Sequence, residues 1–230
     1  NTTQKFNFTT HSSNPALIIR DYLTDTSYGI STGTTEINDT NFQTVANTCD
    51  ESVSITNPSG TESRFTCNGT FTLSQAPKVI IENLLTTMGG FMVYSNGTFK
   101  LVAATYGSPS VTLTEEHLRS GMQINTRVSK KELFNAVKGL YAEPANDFQP
   151  SNYPILTNSS FESEDNSERI YADFDFPFTD SSHTCQRLSK IQLLKARQQI
   201  SFSATFDMTA FKLNIGDTVN VTNERFGWSN

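Results

Sequence analysis

The stretch from residue 76 to residue 102 joins a helix directly to a hairpin, and this arrangement restricts the possible folds most. Pro77 lies at a helix start, where its missing N–H costs nothing. Gly89-Gly90 follows the apolar run, as expected for a left-handed helix C-cap. Asn96-Gly97 then separates two alternating runs, which is a strong hairpin signal. The sequence therefore predicts short helices and antiparallel hairpins in close succession.

Three more helices are predicted from caps and apolar stripes. Asn14 can accept a backbone N–H at the start of the first helix, and Pro15 occupies its first position. The second helix and the long helix are predicted over about 40–51 and 182–199, capped by Asp39 or Thr40 and by Thr179 or Asp180.

Alternation of apolar and polar residues predicts strands elsewhere. The polar stretch 143–168 has too little periodicity for a helix and is expected to cross the surface as an extended arm. The last alternating run has no later run to pair with, so we expect a piece of a longer polypeptide. The predicted strands cover residues 64–73, 126–129, 133–143, 168–178, 200–206 and 218–222.

These elements predict an α+β fold with two subdomains. A length of 230 residues suits one large domain or two small ones. Residues 11–120 are predicted to form a subdomain of short helices and antiparallel hairpins. Residues 121–230 are predicted to form a mostly β subdomain with one long helix, and residues 1–10 a strand that belongs to a preceding or neighbouring domain.

Charge and hydropathy exclude two kinds of partner. The net charge is −6 without a Lys/Arg cluster, which argues against nucleic acid, because phosphates require a basic stripe. No run of about 18 apolar residues occurs, so we expect no insertion into a membrane. The many aromatic and aliphatic residues favour a folded chain over a disordered one.

The sequence offers little catalytic or metal-binding chemistry. His11, His117 and His183 are scattered, and no HExxH, Gly-x-Ser-x-Gly or phosphate-binding glycine motif occurs. Asp173 and Asp175 share one strand face, and paired carboxylates can bind a cation or serve acid–base chemistry. A solvent-exposed strand face opposite a core face of three phenylalanines is the favoured interpretation. We expect no enzyme, no cofactor and no metal site.

The three cysteines are odd in number and widely spaced. Cys49, Cys67 and Cys185 therefore do not form a typical disulfide scaffold. Buried thiols in a protein assembled in a reducing cytosol are favoured, and a Cys49–Cys67 bridge is left open.

Several short motifs, taken in order, resemble the tail-tip attachment proteins, or host specificity J proteins, of lambda-like phages. The opening motif is Asn14-Pro15-Ala16, followed by residues 20–25 and by Tyr28-Gly29. The later motifs cover residues 76–91, 134–137, 178–180, 186–188, 196–199 and 215–219, whereas 143–168 departs most from the family pattern.

This resemblance implies a hub-like fold in a phage or prophage tail tip. The resemblance implies a homotrimer that contacts other tail-tip and tail-tube proteins, assembled in the cytoplasm of the bacterial host. The signature residues are then structural: Asn14 and Pro15 cap a helix, Asp21 and Tyr22 anchor that helix to a neighbour, and Gly29 permits a turn. The remaining signature residues are Tyr28, Gly216 and Asp217.

Two other functions are weighed against the structural role. A carbohydrate-binding surface module would use exposed Tyr and Phe side chains with Asn and Asp as hydroxyl partners. A hydrolase is disfavoured because no acid with an evidently raised pKa is present.

Overall fold

A computed structural model describes residues 11–129 and 132–228. Contacts divide the chain into unit 1, Asn1–Ala104 with Phe134–Lys195, and unit 2, Thr105–Leu133 with Ala196–Asn230. The chain thus leaves each unit and returns to it, whereas the sequence predicts a single division between residues 120 and 121. The strand predicted for residues 1–10 lies outside the described residues.

Three helices open unit 1, and α1 packs against the other two. They are α1 (Pro15–Thr24), α2 (Asp39–Cys49) and α3 (Pro77–Thr86). Asn14 caps α1 as predicted, but the side chain of Asn38 caps α2, so the prediction of Asp39 or Thr40 is wrong. Asn38 accepts the N–H of Asn41 because it lies one residue outside the first turn.

Two antiparallel hairpins follow α2 and α3. The pair β3 (Phe91–Ser95) and β4 (Thr98–Val102) confirms the hairpin predicted at Asn96-Gly97, and both turn residues have positive φ. Sequence reasoning missed the other pair, β1 (Ser52–Thr56) with β2 (Ser59–Ser63).

The strand predicted for residues 64–73 is wrong. Phe65 and Cys67 alternate into the core, which explains the pattern. However, the N–H of Phe65 donates to the Cys49 carbonyl, that of Cys67 to Ser13, and that of Asn68 to Phe178. Because each bond goes to a different segment, an extended chain forms without a strand ladder.

The second part of unit 1 contains five short strands and two helices. The elements are β7 (Ala136–Lys138), β8 (Leu140–Glu143), β9 (Gln149–Asn152), β10 (Leu156–Thr157), α4 (Ser159–Glu164), β11 (Tyr171–Asp173) and α5 (Ser182–Arg197). Three strands form a sheet in the order β10-β7-β11, in which β10 is antiparallel and β11 parallel to β7, while β8 pairs antiparallel with β9. Strand β11 covers only the middle of the strand predicted over 168–178.

The extended arm predicted for residues 143–168 is wrong. Asn158 accepts the N–H groups of Ser160 and Phe161 and starts α4, a helix too short to show an apolar period. Tyr153 is 1% exposed and joins the core of unit 1. The segment therefore lies on the surface, as predicted, but it is folded and Tyr153 anchors it to the core of unit 1.

The long helix α5 confirms the predicted start at Ser182, and corrects the capping residue and the C-terminal end. Ser181 Oγ accepts the N–H of Thr184, so the cap is neither Thr179 nor Asp180, and the helix ends at Arg197. Cys185 and Leu188 are buried in the core of unit 1, together with residues of α1, α2 and α3. The fold class is α+β, as predicted.

Unit 2 contains two separate strand pairs. Strand β5 (Val111–Leu113) runs parallel to β13 (Val219–Val221), and β6 (Gln123–Asn125) runs antiparallel to β12 (Ser201–Ser203). The last strand therefore has a partner upstream in the chain, which corrects the expectation that it lacks one. The strand predicted for 126–129 is wrong, because the ladder lies at residues 123–125.

The three cysteines are not joined by a disulfide bond. Cys49, Cys67 and Cys185 are buried as three separate thiols, so Cys49 and Cys67 are not bridged.

Within residues 11–129 and 132–228, no helix has both the length and the apolar character needed to cross a bilayer.

Candidate functional site: the α1 cluster

Most of the signature residues meet around α1 in unit 1. We call Asn14, Pro15, Asp21, Tyr22, Tyr28 and Gly29 the α1 cluster; the other signature residues, Gly216 and Asp217, belong to unit 2.

Asn14 joins the start of α1 to the end of α2. Its Oδ1 accepts the N–H of Ala16 at 3.1 Å, while its Nδ2 donates to the Ala46 carbonyl at 2.9 Å and to Asp50 Oδ1 at 2.7 Å. Pro15 is buried at the first helical position. Since Asn14 is only 5% exposed, its amide must find these partners inside the protein.

Asp21 holds the loop that follows α1. It accepts a hydrogen bond from the hydroxyl of Tyr28, and this bond, assisted by burial and the nearby carboxylates, raises the pKa of Tyr28 to about 12. The N–H of Tyr28 donates to Asp25 Oδ1 at 3.0 Å. In this structure Asp21 therefore anchors α1 to a loop of its own chain.

Tyr22 fixes the inner side of the same helix. It is 3% exposed, and its ring contacts Phe71 edge-on, with the centroids 5.4 Å apart. Burial raises the pKa of Tyr22 above its ordinary value. This residue packs as a core side chain.

Gly29 is required by close packing. A Cβ at this position would lie 2.1 Å from the Tyr22 carbonyl oxygen and 2.7 Å from that of Asp25. The next residue, Ile30, donates its N–H to the same Tyr22 carbonyl at 3.0 Å. The loop can therefore lie against the end of α1 only because residue 29 has no side chain.

Two ionic contacts strengthen unit 1, and sequence reasoning found neither. Arg20 on α1 holds Asp39 at the start of α2 with two hydrogen bonds of 2.8 and 3.2 Å. Glu62 at the end of β2 accepts from Arg187 at 2.7 Å and from Ser181 Oγ at 2.8 Å. Partners so distant in sequence form no local pattern.

Gly216 and Asp217 form a tight turn before β13. Gly216 has φ of +96°, a value that favours glycine. Asp217 Oδ2 accepts the N–H of Asn214 at 2.8 Å, and the N–H of Asp217 donates back to the Asn214 carbonyl. These contacts hold the turn that precedes β13.

Other candidate residues also serve structural contacts. Asp175 Oδ1 accepts the N–H of Leu140 at 2.9 Å, and Asp173 lies 3.7 Å from Lys138 Nζ. Burial raises the pKa of Cys67 and of Cys185 to about 12, so both remain thiols at neutral pH. Among the described residues, no group of three or more His, Cys, Asp or Glu could hold a metal ion.

The α1 cluster thus has the chemistry of a scaffold, in which polar side chains join helices and close a loop.

The family described as "Putative phage tail protein" matches residues 76–229, and the chain belongs to that family. The match includes α3, α5 and the Gly216-Asp217 turn, whereas the α1 cluster precedes it. No curated protein matches the chain in sequence.

Solved structures give a likeness in fold. A chain of the virion of a native gene transfer agent particle aligns with 68% of this chain at 17% identity and a TM-score of 0.56. Two more distant alignments are to a 43 kDa tail protein of prophage MuSo2 from Shewanella oneidensis (12% identity, 68% of this chain, 48% of that chain, TM-score 0.41) and to prophage tail protein gp18 from Listeria monocytogenes EGD-e (17%, 74%, 48%, 0.35).

The chain covers only part of these proteins. It spans 35% of the gene transfer agent chain and 48% of each prophage protein. The resemblance found in the sequence is confirmed at the level of phage tail proteins.

Proposed function

We propose that this chain is a hub segment of the tail tip of a phage or prophage, within the protein that attaches the particle to its host. The family match over residues 76–229 carries the proposal, because it includes elements of both units. The order of the signature motifs supports the finer assignment to the attachment protein.

The proposed role is assembly and transmission of the attachment signal, without catalysis. The hub would be a homotrimer that contacts other tail-tip proteins and the tail tube, and it would assemble in the cytoplasm of the bacterial host. The use of Asp173, Asp175 and the buried thiols in structural contacts supports a non-enzymatic role.

Immunogold electron microscopy of intact particles tests the location. Antibodies raised against the chain should label the distal end of the tail, whereas antibodies against the tube protein label its whole length. Labelling along the tube, on the head, or nowhere would refute the tail-tip assignment.

A cell-wall lysis assay tests the absence of catalysis. The purified protein should release no more soluble cell-wall material than a heat-denatured sample does. Clearing by the folded protein alone would show a hydrolase.

A further inference from the structure

The parallel pair in unit 2 builds an acidic pocket. Because β5 and β13 run in the same direction, the segments that follow them, 114–116 and 222–224, emerge at one edge. They line an open cavity of about 540 Å³ together with Trp228. We call Glu115, Glu116, Glu224 and Trp228 the acidic pocket.

The tryptophan is held in place as a wall of this pocket. Asn223 and Trp228 exchange two backbone hydrogen bonds of 2.8 and 2.9 Å. The indole ring lies 5.4 Å from the ring of Phe226 and 6.0 Å from that of Phe202. The face of a fixed indole attracts a cationic side chain.

The negative charges of the acidic pocket favour a cationic ligand. Its lining contains three glutamates and no Lys, Arg or His among the described residues. Like charges gathered in a cleft repel one another and concentrate ions of opposite charge. A guanidinium group can form hydrogen-bonded ion pairs with the carboxylates and can also stack on the indole face.

The antiparallel pair of unit 2 builds a pocket of opposite charge. The register pairs Asn125 with Ser201, so the segment after β6 lies beside the segment before β12. Arg127 and Arg197 are the charged residues that line the resulting open cavity of about 650 Å³. Exposed Ile200 adds an apolar edge, and we call these three residues the basic pocket.

The two pockets share no lining residue, so one copy of the chain can use both at once. We propose that the acidic pocket of one copy receives Arg127 from the basic pocket of a second copy. This is a heterologous contact, which closes a ring when its rotation permits. The contact rests on the proposed function, since a hub contains several copies of one chain.

Charge complementarity argues for a second copy as the occupant. Every copy supplies one acidic and one basic surface, so each contact pairs opposite charges across the interface. The exposed side chain of Ile200 lines the basic pocket and would lose exposed apolar area on association. The exposed ring of Phe226 contacts Trp228 of the acidic pocket and adds apolar area beside it.

Light scattering on the full chain, with opposite charges exchanged, tests the contact. At low salt the unaltered chain should exceed its monomer mass of 25.5 kDa, and added salt should lower the mass. Arg127→Glu and Glu224→Arg should each weaken association at least about tenfold, because each places like charges together. The double variant should recover at least half of the lost association.

Lys212→Glu is the matched control for Arg127→Glu, since it also replaces a cation by a carboxylate in unit 2, outside both pockets. It should leave the mass unchanged, and circular dichroism should show that all variants fold. A monomeric unaltered chain, indifferent single variants, or a double variant without recovery would each overturn the contact. Immunogold labelling at the tail tip would be unaffected, so failure of the contact and failure of the proposed function are distinguishable.

Discussion

Unit 1 and unit 2 are stabilised in different ways. Among the described residues, Leu113 and Leu133 are the buried apolar side chains of unit 2, and all the others belong to unit 1. Both units expose large apolar side chains, but in unit 2 they outnumber the buried ones: Tyr106, Ile200, Phe202, Met208, Phe211, Ile215 and Phe226.

The difference in buried side chains indicates that the hydrophobic core of the described residues lies almost entirely in unit 1. Two-stranded pairs are marginally stable alone, and parallel strands are usually covered on both faces. Exposed apolar surface on a folded protein commonly marks an interaction site. We therefore expect unit 1 to set the stability of the chain and unit 2 to gain order on assembly.

Truncation of a buried side chain in each unit should give the largest change in the free energy of unfolding. Phe42 is 0% exposed in the core of unit 1, so Phe42→Ala should lower the free energy of unfolding by about 3–5 kcal/mol. Leu113→Ala in unit 2 should cost about 2 kcal/mol, since fewer buried neighbours surround it. Urea unfolding measures both; equal losses would contradict the comparison.

Glycine substitutions sharpen the comparison at a smaller scale. Gly29→Ala should destabilise by about 3 kcal/mol, because the new methyl group meets the Tyr22 carbonyl. Gly216→Ala in unit 2 should cost about 1–2 kcal/mol, the price of a left-handed φ. Thermal unfolding of the two variants checks the order, and a larger loss at Gly216 would reverse it.

Local signals predicted much of unit 1. The α1 cap at Asn14 and the Asn96-Gly97 turn act within a few residues, so the sequence displays them. The parallel pairing of β5 with β13 and the bond between Glu62 and Arg187 join distant segments, and no short pattern encodes them. Alternation misled at residues 64–73, because burial has a period of two whether or not a strand ladder forms.

For the same reason, sequence reasoning predicted the cap at Asn14 but not the contacts of the other residues in the α1 cluster. The cap formed by Asn14 follows from its place before Pro15. The bond from Tyr28 to Asp21 and the tight packing of Gly29 appear only once the loop folds back on α1.

Asn14 variants separate capping from the link between α1 and α2. Asn14→Ala removes the acceptor for Ala16 and the donor to Ala46 and Asp50, and should cost about 1–2 kcal/mol. Asn14→Asp retains the acceptor but loses the donor and places a carboxylate beside Asp50. Urea unfolding should therefore show that Asn14→Asp does not restore full stability; full recovery would assign the whole effect to the cap.

The smallest expected effect is a pH dependence of unit 2. Asp207 accepts the N–H of Thr209 and pairs with Arg119, which lowers the pKa of its carboxyl below the ordinary value. A lowered pKa contributes stability above the ordinary value near 3.8, and this contribution is lost as pH falls through the folded pKa.

The effect should be small because the ion pair between Asp207 and Arg119 is exposed to solvent. Hydrogen exchange measured as pH falls below about 4 should show the Thr209 amide losing protection before the amides in the core of unit 1 do. Asp207→Asn can still accept from Thr209, so its exchange should depend less on pH. If the amides of both units lost protection at the same pH, this contact would not stabilise unit 2 separately from unit 1. The same conclusion would follow if the unaltered chain and the Asp207→Asn variant were equally sensitive to acid.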